Sequence, residues 1–364
     1  MYPLNSERAF VTQQWYVAAT RAEVGRQILA RRILDEPLVF YRTEAGEAVA
    51  MAGLCPHRLM PMELGQLQGD ELVCGYHGFT FSAAGACVRT PTAEKIPASA
   101  RLRAYPVVER GPWVWVWMGD PANPDLSLLP DASDIGLGDD ATGWRVDVTP
   151  TVALKARAQL LIDNLFDLSH LAFVHRNSVQ SDGPALVMLP PHIVDEPGDY
   201  SVIRTLPAAP VDPQGFVGLI RPDLSGLVQV DLFTRLYNVC LINAAGPWIY
   251  RVLPDGSRGP ALGKMNFVHA ATPETARSTH YFGVLTRDFR IDDDGLSAFT
   301  VAQNNRVREE DRVALEAIEK VVEQHGDLRK EVSIAADAGA LRVRRKISAL
   351  LEAEASRDAA TQSR

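Results

Sequence analysis

Short apolar runs separated by turn residues fill positions 10–118: Leu38-Val39-Phe40, Leu72-Val73-Cys74, Phe79-Thr80-Phe81, Tyr105 to Val108, and Trp113-Val114-Trp115-Val116-Trp117. The last run is apolar throughout and alternates large with β-branched side chains, the pattern of a strand covered on both faces. These runs predict a small antiparallel β domain over residues 1–120. Between 119 and 143 the periodicity lapses and Asp, Pro and Gly accumulate, as in Asp120-Pro121-Ala122-Asn123-Pro124 and Gly136-Leu137-Gly138-Asp139-Asp140. That predicts a linker over 121–143. Farther on, 155–174 carries a helical pattern, 190–290 alternates strand-like runs with Pro and Gly turns, and 296–324 is strongly helical. The second domain, 144–355, is therefore expected to mix an antiparallel sheet with at least two substantial helices, an α+β fold. Residues 356–364 read as a disordered polar tail.

Composition narrows the class. The chain has 364 residues, 46 % hydrophobic and 23 % charged, enough apolar material for two cores. A formal charge of −8 argues against nucleic acid or an anionic membrane as the main partner. No stretch approaches the apolar length of a spanning helix, and residues 1–25 lack a basic start followed by an apolar core, so a cytoplasmic location is expected. Four Cys in such a chain cannot build a disulfide scaffold, and in a reducing compartment paired Cys and His point to metal.

Two such pairs stand 16 residues apart, Cys55-Pro56-His57 and Cys74-Gly75-Tyr76-His77. From this chain's own Cys and His frequencies, chance placement of the pattern is on the order of 10⁻⁵. Two thiolates and two imidazoles suit a tetrahedral zinc or a [2Fe–2S] cluster in which His₂ replaces Cys₂ on one iron. Zinc fingers usually pair Cys with Cys and His with His along the chain. Here each loop supplies one of each, which lets both Cys bind one iron and both His the other. With Pro56, Arg58 and Pro61 stiffening one loop and Gly75 and Gly78 flanking the second, the arrangement resembles the Rieske domain. Leu59 departs from it, since relatives often carry Gly there. Exchanging thiolates for neutral imidazoles raises the reduction potential and makes the cluster a one-electron relay. Cys87 and Cys240 fit neither pair and read as small buried hydrophobes.

A second constellation, Asp163-Asn164-Leu165-Phe166-Asp167-Leu168-Ser169-His170 through His175, has the form D-x3-D-x2-H-x4-H. On a helix Asp163, Asp167 and His170 share a face, whereas His175 lies about 140° away from His170 and joins it at one metal only if the helix ends or distorts between them. The spacing resembles the mononuclear iron site of the Rieske non-haem iron oxygenases, a 2-His-1-carboxylate triad. That resemblance implies His170 and His175 as iron ligands, Asp167 as the residue that bridges a mononuclear-site His to a Rieske His of a neighbouring subunit, and Asn164 as a polar neighbour of the iron. For the third ligand the late helix offers Glu309, Glu310 and Asp311. Helical phase places Asp311 on an apolar stripe with Val307, Ala314, Ile318 and Val321, and leaves Glu309 and Glu310 on solvated faces. A buried carboxylate is costly unless paired or metal-bound, so Asp311 is the expected ligand, with Glu310 next.

The resemblance extends from residue 14 to about 353. Trp15-Tyr16-Val17-Ala18-Ala19, Thr272-Pro273-Glu274-Thr275, Glu310-Asp311-Arg312 and Ile334-Ala335-Ala336-Asp337-Ala338-Gly339 resemble the branch of vanillate O-demethylase, dicamba monooxygenase and toluenesulfonate methyl-monooxygenase. It implies a helix-grip catalytic domain behind the Rieske domain. The implied activity uses O₂ to oxygenate a methyl or methoxy group of a small aromatic acid, with demethylation when the carbon is O-linked. Electrons would come from NAD(P)H through a separate reductase or ferredoxin, because the chain has no flavin site or G-x-G-x-x-G of its own. It also implies a homotrimer in which His77 of one subunit meets Asp167 and His170 of the next. His269, before the Thr272-Pro273-Glu274 run, would line the substrate pocket, and Arg204, Arg221, Arg235, Arg251, Arg258, Arg277, Arg287 and Arg290 are candidate clamps for an anion. His192, His280 and His325 read as structural. Two alternatives stay open: a cis-dihydroxylating aromatic ring dioxygenase, and a simple Rieske electron carrier, which would leave His170, His175 and Asp311 unexplained.

Overall fold

The run Trp113–Trp117 becomes the middle strand of a three-stranded antiparallel sheet, between Trp15–Thr20 and Val107–Arg110, in a computed structural model that describes residues 3–4, 6–91, 95–179, 188–326 and 331–362. All five of its residues are buried, as the unbroken apolar run requires. Trp117 faces Trp15 across the ladder, ring centroids 5.5 Å apart.

Two four-stranded antiparallel sheets complete this unit. One runs Leu29–Ile33, Glu36–Arg42, Ala48–Ala52, Ala104–Tyr105; the other runs Gln66–Gln68, Glu71–Val73, Thr80–Phe81, Cys87–Arg89. Val39, Tyr41, Met51, Met62, Leu72, Phe81 and Leu102 form a core that includes Cys55 and Cys74. At roughly 1.5–3 kcal/mol per large apolar side chain, this burial anchors the loops that leave the core at each Cys.

The other unit is a single antiparallel sheet, ordered Arg145–Leu154, Ser278–Arg287, Arg258–Thr275, Leu241–Val252, Leu227–Leu236, Asp199–Thr205, His192–Glu196, with the short Ala209–Pro210 beside Leu227–Leu236. Four α-helices accompany it among the described residues: α1 Ala158–Phe166, α2 Phe216–Ile220, α3 Asp294–His325 and α4 Ala338–Gln362. Leu161, Ile162, Leu165 and Phe166 of α1 pack with Ile242, Ala244 and Tyr281 of the sheet, Leu315 of α3 and Val343 and Leu351 of α4. Asp293 caps α3 by accepting the Leu296 N–H at 2.8 Å. Two partly buried arginine–carboxylate pairs fasten α1: Arg157 Nη2 lies 2.7 Å from Glu319 of α3, and Arg344 Nη2 of α4 lies 2.6 Å from Asp163. The α+β expectation holds, with antiparallel sheets throughout.

The domain limits differ from those expected. One unit comprises Thr12–Leu129 and Thr272–Ala276; the other comprises Met1–Val11, Pro130–Ala271 and Arg277–Arg364. The 121–143 segment is not a free linker. Its 3-10 turns Leu126–Leu128 and Ser133–Ile135 are tied down, the first by Trp15 Nε1 donating to the Asp125 carbonyl at 2.8 Å, the second by Thr286 Oγ1 donating to the Ile135 carbonyl at 2.6 Å. The predicted disordered tail 356–364 is helical to Gln362, with Arg8 paired to Asp358 at 2.6 Å. No helix among the described residues is long and apolar enough to cross a membrane.

Candidate metal centres

The two Cys–His loops are built alike. In the first, the Cys55 N–H donates to the Met60 carbonyl at 2.9 Å and the Leu59 N–H donates back to the Cys55 carbonyl at 2.9 Å; in the second, Cys74 pairs with Phe79 at 2.8 Å and Gly78 with Cys74 at 3.0 Å. Both loops need a left-handed residue at the same place, Leu59 with φ 57° and Gly78 with φ 67°. That is the physical sense of the glycine relatives carry where this chain has Leu59, which is 68 % exposed and so takes the strained conformation without burying its side chain.

What the sequence interleaves, the fold sorts. Cys55 and Cys74 are buried side by side, while His57 and His77 lie on the exposed side with ring centroids 4.6 Å apart. Burial pushes the Cys55 thiol up to about 11, and the neighbouring Cys74 adds to the rise. Burial, His77 and Arg58 push the His57 imidazole down, so it is neutral near pH 7. Two adjacent buried thiols beside two imidazoles fit the donor set of a Rieske [2Fe–2S] cluster. Among the other cysteines, Cys240 is buried as expected, but Cys87 is only half-buried, on the edge strand Cys87–Arg89.

The Asp163–His175 segment departs from one helix earlier than expected. α1 stops at Phe166; Asp167 then caps a 3-10 turn, Leu168–Ala172, its carboxylate accepting the Ser169 N–H and Oγ–H, both at 2.9 Å. The predicted irregularity therefore precedes His170 and redirects the chain so that the His170 and His175 rings approach to 5.1 Å. Asp163 turns away, to Arg344.

His170, His175 and Asp311 each offer one ligand atom, and the three atoms all lie within 4.8 Å of one another. His170 Nδ1 is 2.5 Å from the Asp167 carbonyl, and His175 Nδ1 is 2.8 Å from Glu310. The Nε2 atoms face Asp311 Oδ1, at 3.6 Å and 3.1 Å respectively. His175 Nε2 is buried and makes no hydrogen bond, a costly state that a metal ion relieves. Asn164 Nδ2 donates to the same Asp311 oxygen at 3.0 Å, which places it beside the donor set. Burial pushes the His170 imidazole down; for His175 burial acts the same way, but the Asp311 and Glu310 carboxylates outweigh it and the net shift is upward. Two imidazole nitrogens and one carboxylate so placed fit a 2-His-1-carboxylate ferrous site.

Residues 14–106 match the Rieske [2Fe-2S] domain and residues 154–353 the vanillate O-demethylase oxygenase C-terminal domain. The chain belongs to the Rieske non-haem iron oxygenases. It is 35 % identical over 360 residues to the dicamba O-demethylase oxygenase component of Stenotrophomonas maltophilia, covering 95 % of this chain and 99 % of that one. It is 34 % identical over 359 residues to a putative toluene-4-sulfonate monooxygenase system iron-sulfur subunit of Comamonas testosteroni, covering 94 % and 98 %. Its structure is similar to that of dicamba monooxygenase bound to 3,6-dichlorosalicylic acid, with a TM-score of 0.83 and 30 % identity over 95 % of this chain and 99 % of that one. As a member of this family the chain carries a Rieske cluster and a mononuclear iron, and acts as the oxygenase component of a monooxygenase system with a reductase or ferredoxin partner. These relatives favour methyl or methoxy oxidation over ring dihydroxylation.

Further polar residues pair with the candidate donors or lie close to them. Glu310, expected to be solvated, is a quarter exposed and bonded to His175; Ser178 Oγ donates to the same Glu310 oxygen at 2.5 Å. His269 is buried, its Nδ1 2.7 Å from the Tyr281 hydroxyl, and Arg308 lies 4.2 Å over the Tyr281 ring. Burial is the main cause that lowers His269 to about 3, so it is neutral. Of the eight arginines offered as anion clamps, Arg221, Arg235, Arg258, Arg277, Arg287 and Arg290 are paired with carboxylates. Arg204 is buried 3.7 Å from Asp167, with its Nη1 unpartnered.

Proposed function

We propose that this oxygenase component hydroxylates a methyl or methoxy group on a small aromatic acid, releasing formaldehyde when the carbon is O-linked. The carrying observation is the convergence of the His170 and His175 Nε2 atoms on Asp311 while both Nδ1 atoms are tied elsewhere. In this reading Cys55 and Cys74 bind one iron of the cluster, His57 and His77 the other, and His170, His175 and Asp311 hold the mononuclear iron. When bound, the cluster relays single electrons and the ferrous ion activates O₂. Asn164 restrains the Asp311 carboxylate through its 3.0 Å hydrogen bond. Neutral His269 contributes a polar wall to the pocket, since a charged imidazole there would be unstable against its burial. Dicamba carries a methoxy group beside a carboxylate, and toluene-4-sulfonate a methyl group opposite a sulfonate; both combine an anion with an oxidisable methyl carbon.

The assembly in this reading is a homotrimer, in which His77 of one subunit lies next to Asp167 and His170 of its neighbour, and Asp167 carries the contact. Its place of work is the cytoplasm, where NAD(P)H and the reductase are at hand. The test is to supply the reconstituted protein with a surrogate reductase, NADH and a panel of methoxylated and methylated benzoates and sulfonates. Formaldehyde or an alcohol product with one ¹⁸O from ¹⁸O₂ is the expected result. A ring diol retaining two labelled oxygens overturns the proposal.

A further inference from the structure

Glu310 stands beside the residue assigned as the carboxylate ligand, yet it faces the other side of the same ring. Its Oε2 lies 2.8 Å from His175 Nδ1, while Asp311 Oδ1 lies 3.1 Å from His175 Nε2, so consecutive residues of α3 hold opposite edges of one imidazole. The Glu310 carboxylate is itself held. Ser178 Oγ donates to Oε2 at 2.5 Å, and the turn that brings Ser178 there is closed by its own N–H on the His175 carbonyl at 3.0 Å. Arg306 Nε, one helical turn back, lies 3.7 Å from Oε1. Among the described residues His170 has no such carboxylate: its Nδ1 lies 2.5 Å from the backbone carbonyl of Asp167.

We propose that Glu310, locked by Ser178, is a positioning residue for the mononuclear metal: it keeps the His175 proton on Nδ1, aims Nε2 at the ion, and makes His175 a stronger donor than His170. A carboxylate behind a ligating imidazole fixes ring and tautomer together, and its loss generally weakens metal binding 10- to 100-fold.

This inference rests on the metal ligands assigned above, and the test separates the two. Fe(II) affinity is measured by chelator competition in the full chain, with Rieske absorbance as the folding control, and the EPR spectrum of the nitric-oxide adduct of the ferrous site is recorded. Glu310→Ala should bind Fe(II) about 10- to 100-fold more weakly with cluster absorbance unchanged. Glu310→Gln, which can still accept from Nδ1–H, should recover part of that affinity with an altered nitrosyl spectrum. Ser178→Ala, a mild change that decides the matter if the Glu310 variants misfold, should lose severalfold. Parental affinity and spectrum in Glu310→Ala, or in Ser178→Ala and Glu310→Gln together, overturn the inference. So does iron retained by Asp311→Ala but lost by Glu310→Ala, which would make Glu310 the ligand. A parent chain holding only cluster iron would instead overturn the ligand assignment itself.

Discussion

An imidazole carries two nitrogens, and what engages the first decides what the second is free to do. At His170 and His175 the first is engaged and the second faces a carboxylate; at His269 the ring is buried against the Tyr281 hydroxyl, and among the described residues no carboxylate is bonded to it. Burial therefore dominates, lowering its pKa from 6.5 to about 3. The sign follows directly: between those values the unfolded chain binds a proton at this ring and the folded chain does not, so stability is lost as pH falls from 6.5 towards 3. The slope from this residue is about 1.4 kcal/mol per pH unit. Urea unfolding between pH 4.5 and 7 should give a shallower pH dependence for His269→Gln than for the parent, and equal slopes would refute the buried neutral ring. At this scale the sequence showed candidate donors wherever they are near neighbours along the chain, as in Cys55-Pro56-His57. It left Glu310 on a solvated face, as the second choice of ligand, because helical phase describes one helix and cannot see the turn after His175 that covers that face.

The elements explain why some sequence expectations held and others failed. Residues 155–174 look like one helix because a 3-10 turn keeps nearly the same apolar steps as an α-helix; only Asp167, whose side chain satisfies the Ser169 N–H, marks the break. On α3 the expected apolar stripe is not the buried one. Ile318 and Val321 are 45 % and 57 % exposed, and the buried face runs through Asn304, Arg308, Asp311, Leu315 and Glu319. Asp311 is inside, as expected, but on a face of polar groups that bond to other elements: Arg308 donates to Thr149 and to the Tyr281 carbonyl, and Glu319 pairs with Arg157. No hydropathy pattern finds such a face. In the Rieske unit the limiting feature is backbone proximity between loops: a Cβ on Gly75 would stand 2.3 Å from the Leu64 carbonyl oxygen. Gly75→Ala must push the second Cys–His loop off the first, at about 1–3 kcal/mol. It should purify with less red-brown cluster absorbance per chain and a lower melting temperature. Gly25→Ala, whose Cβ meets nothing within 4 Å, serves as the control and should match the parent. Full cluster content in Gly75→Ala would mean that the two loops tolerate separation.

At the scale of the whole molecule, the candidate cluster donors and the candidate mononuclear donors belong to different compact units of the chain. The proposed homotrimer supplies the junction from a neighbouring subunit, and mixed oligomers decide whether it does. One chain carries Asp311→Ala, which removes the mononuclear iron and spares the cluster; the other carries His77→Ala, which spoils the cluster and spares the mononuclear site. Each alone should be inactive. Co-expressed at equal levels in a head-to-tail ring, an intact cluster precedes an intact iron site at about one junction in four, so about a quarter of the parental turnover should return. Transfer confined to one chain predicts no recovery, since no single chain then holds both centres. Recovery that vanishes when the iron-competent chain also carries Asp167→Asn would place the electron path through that carboxylate. Undiminished recovery would keep the ring and remove Asp167 from the path.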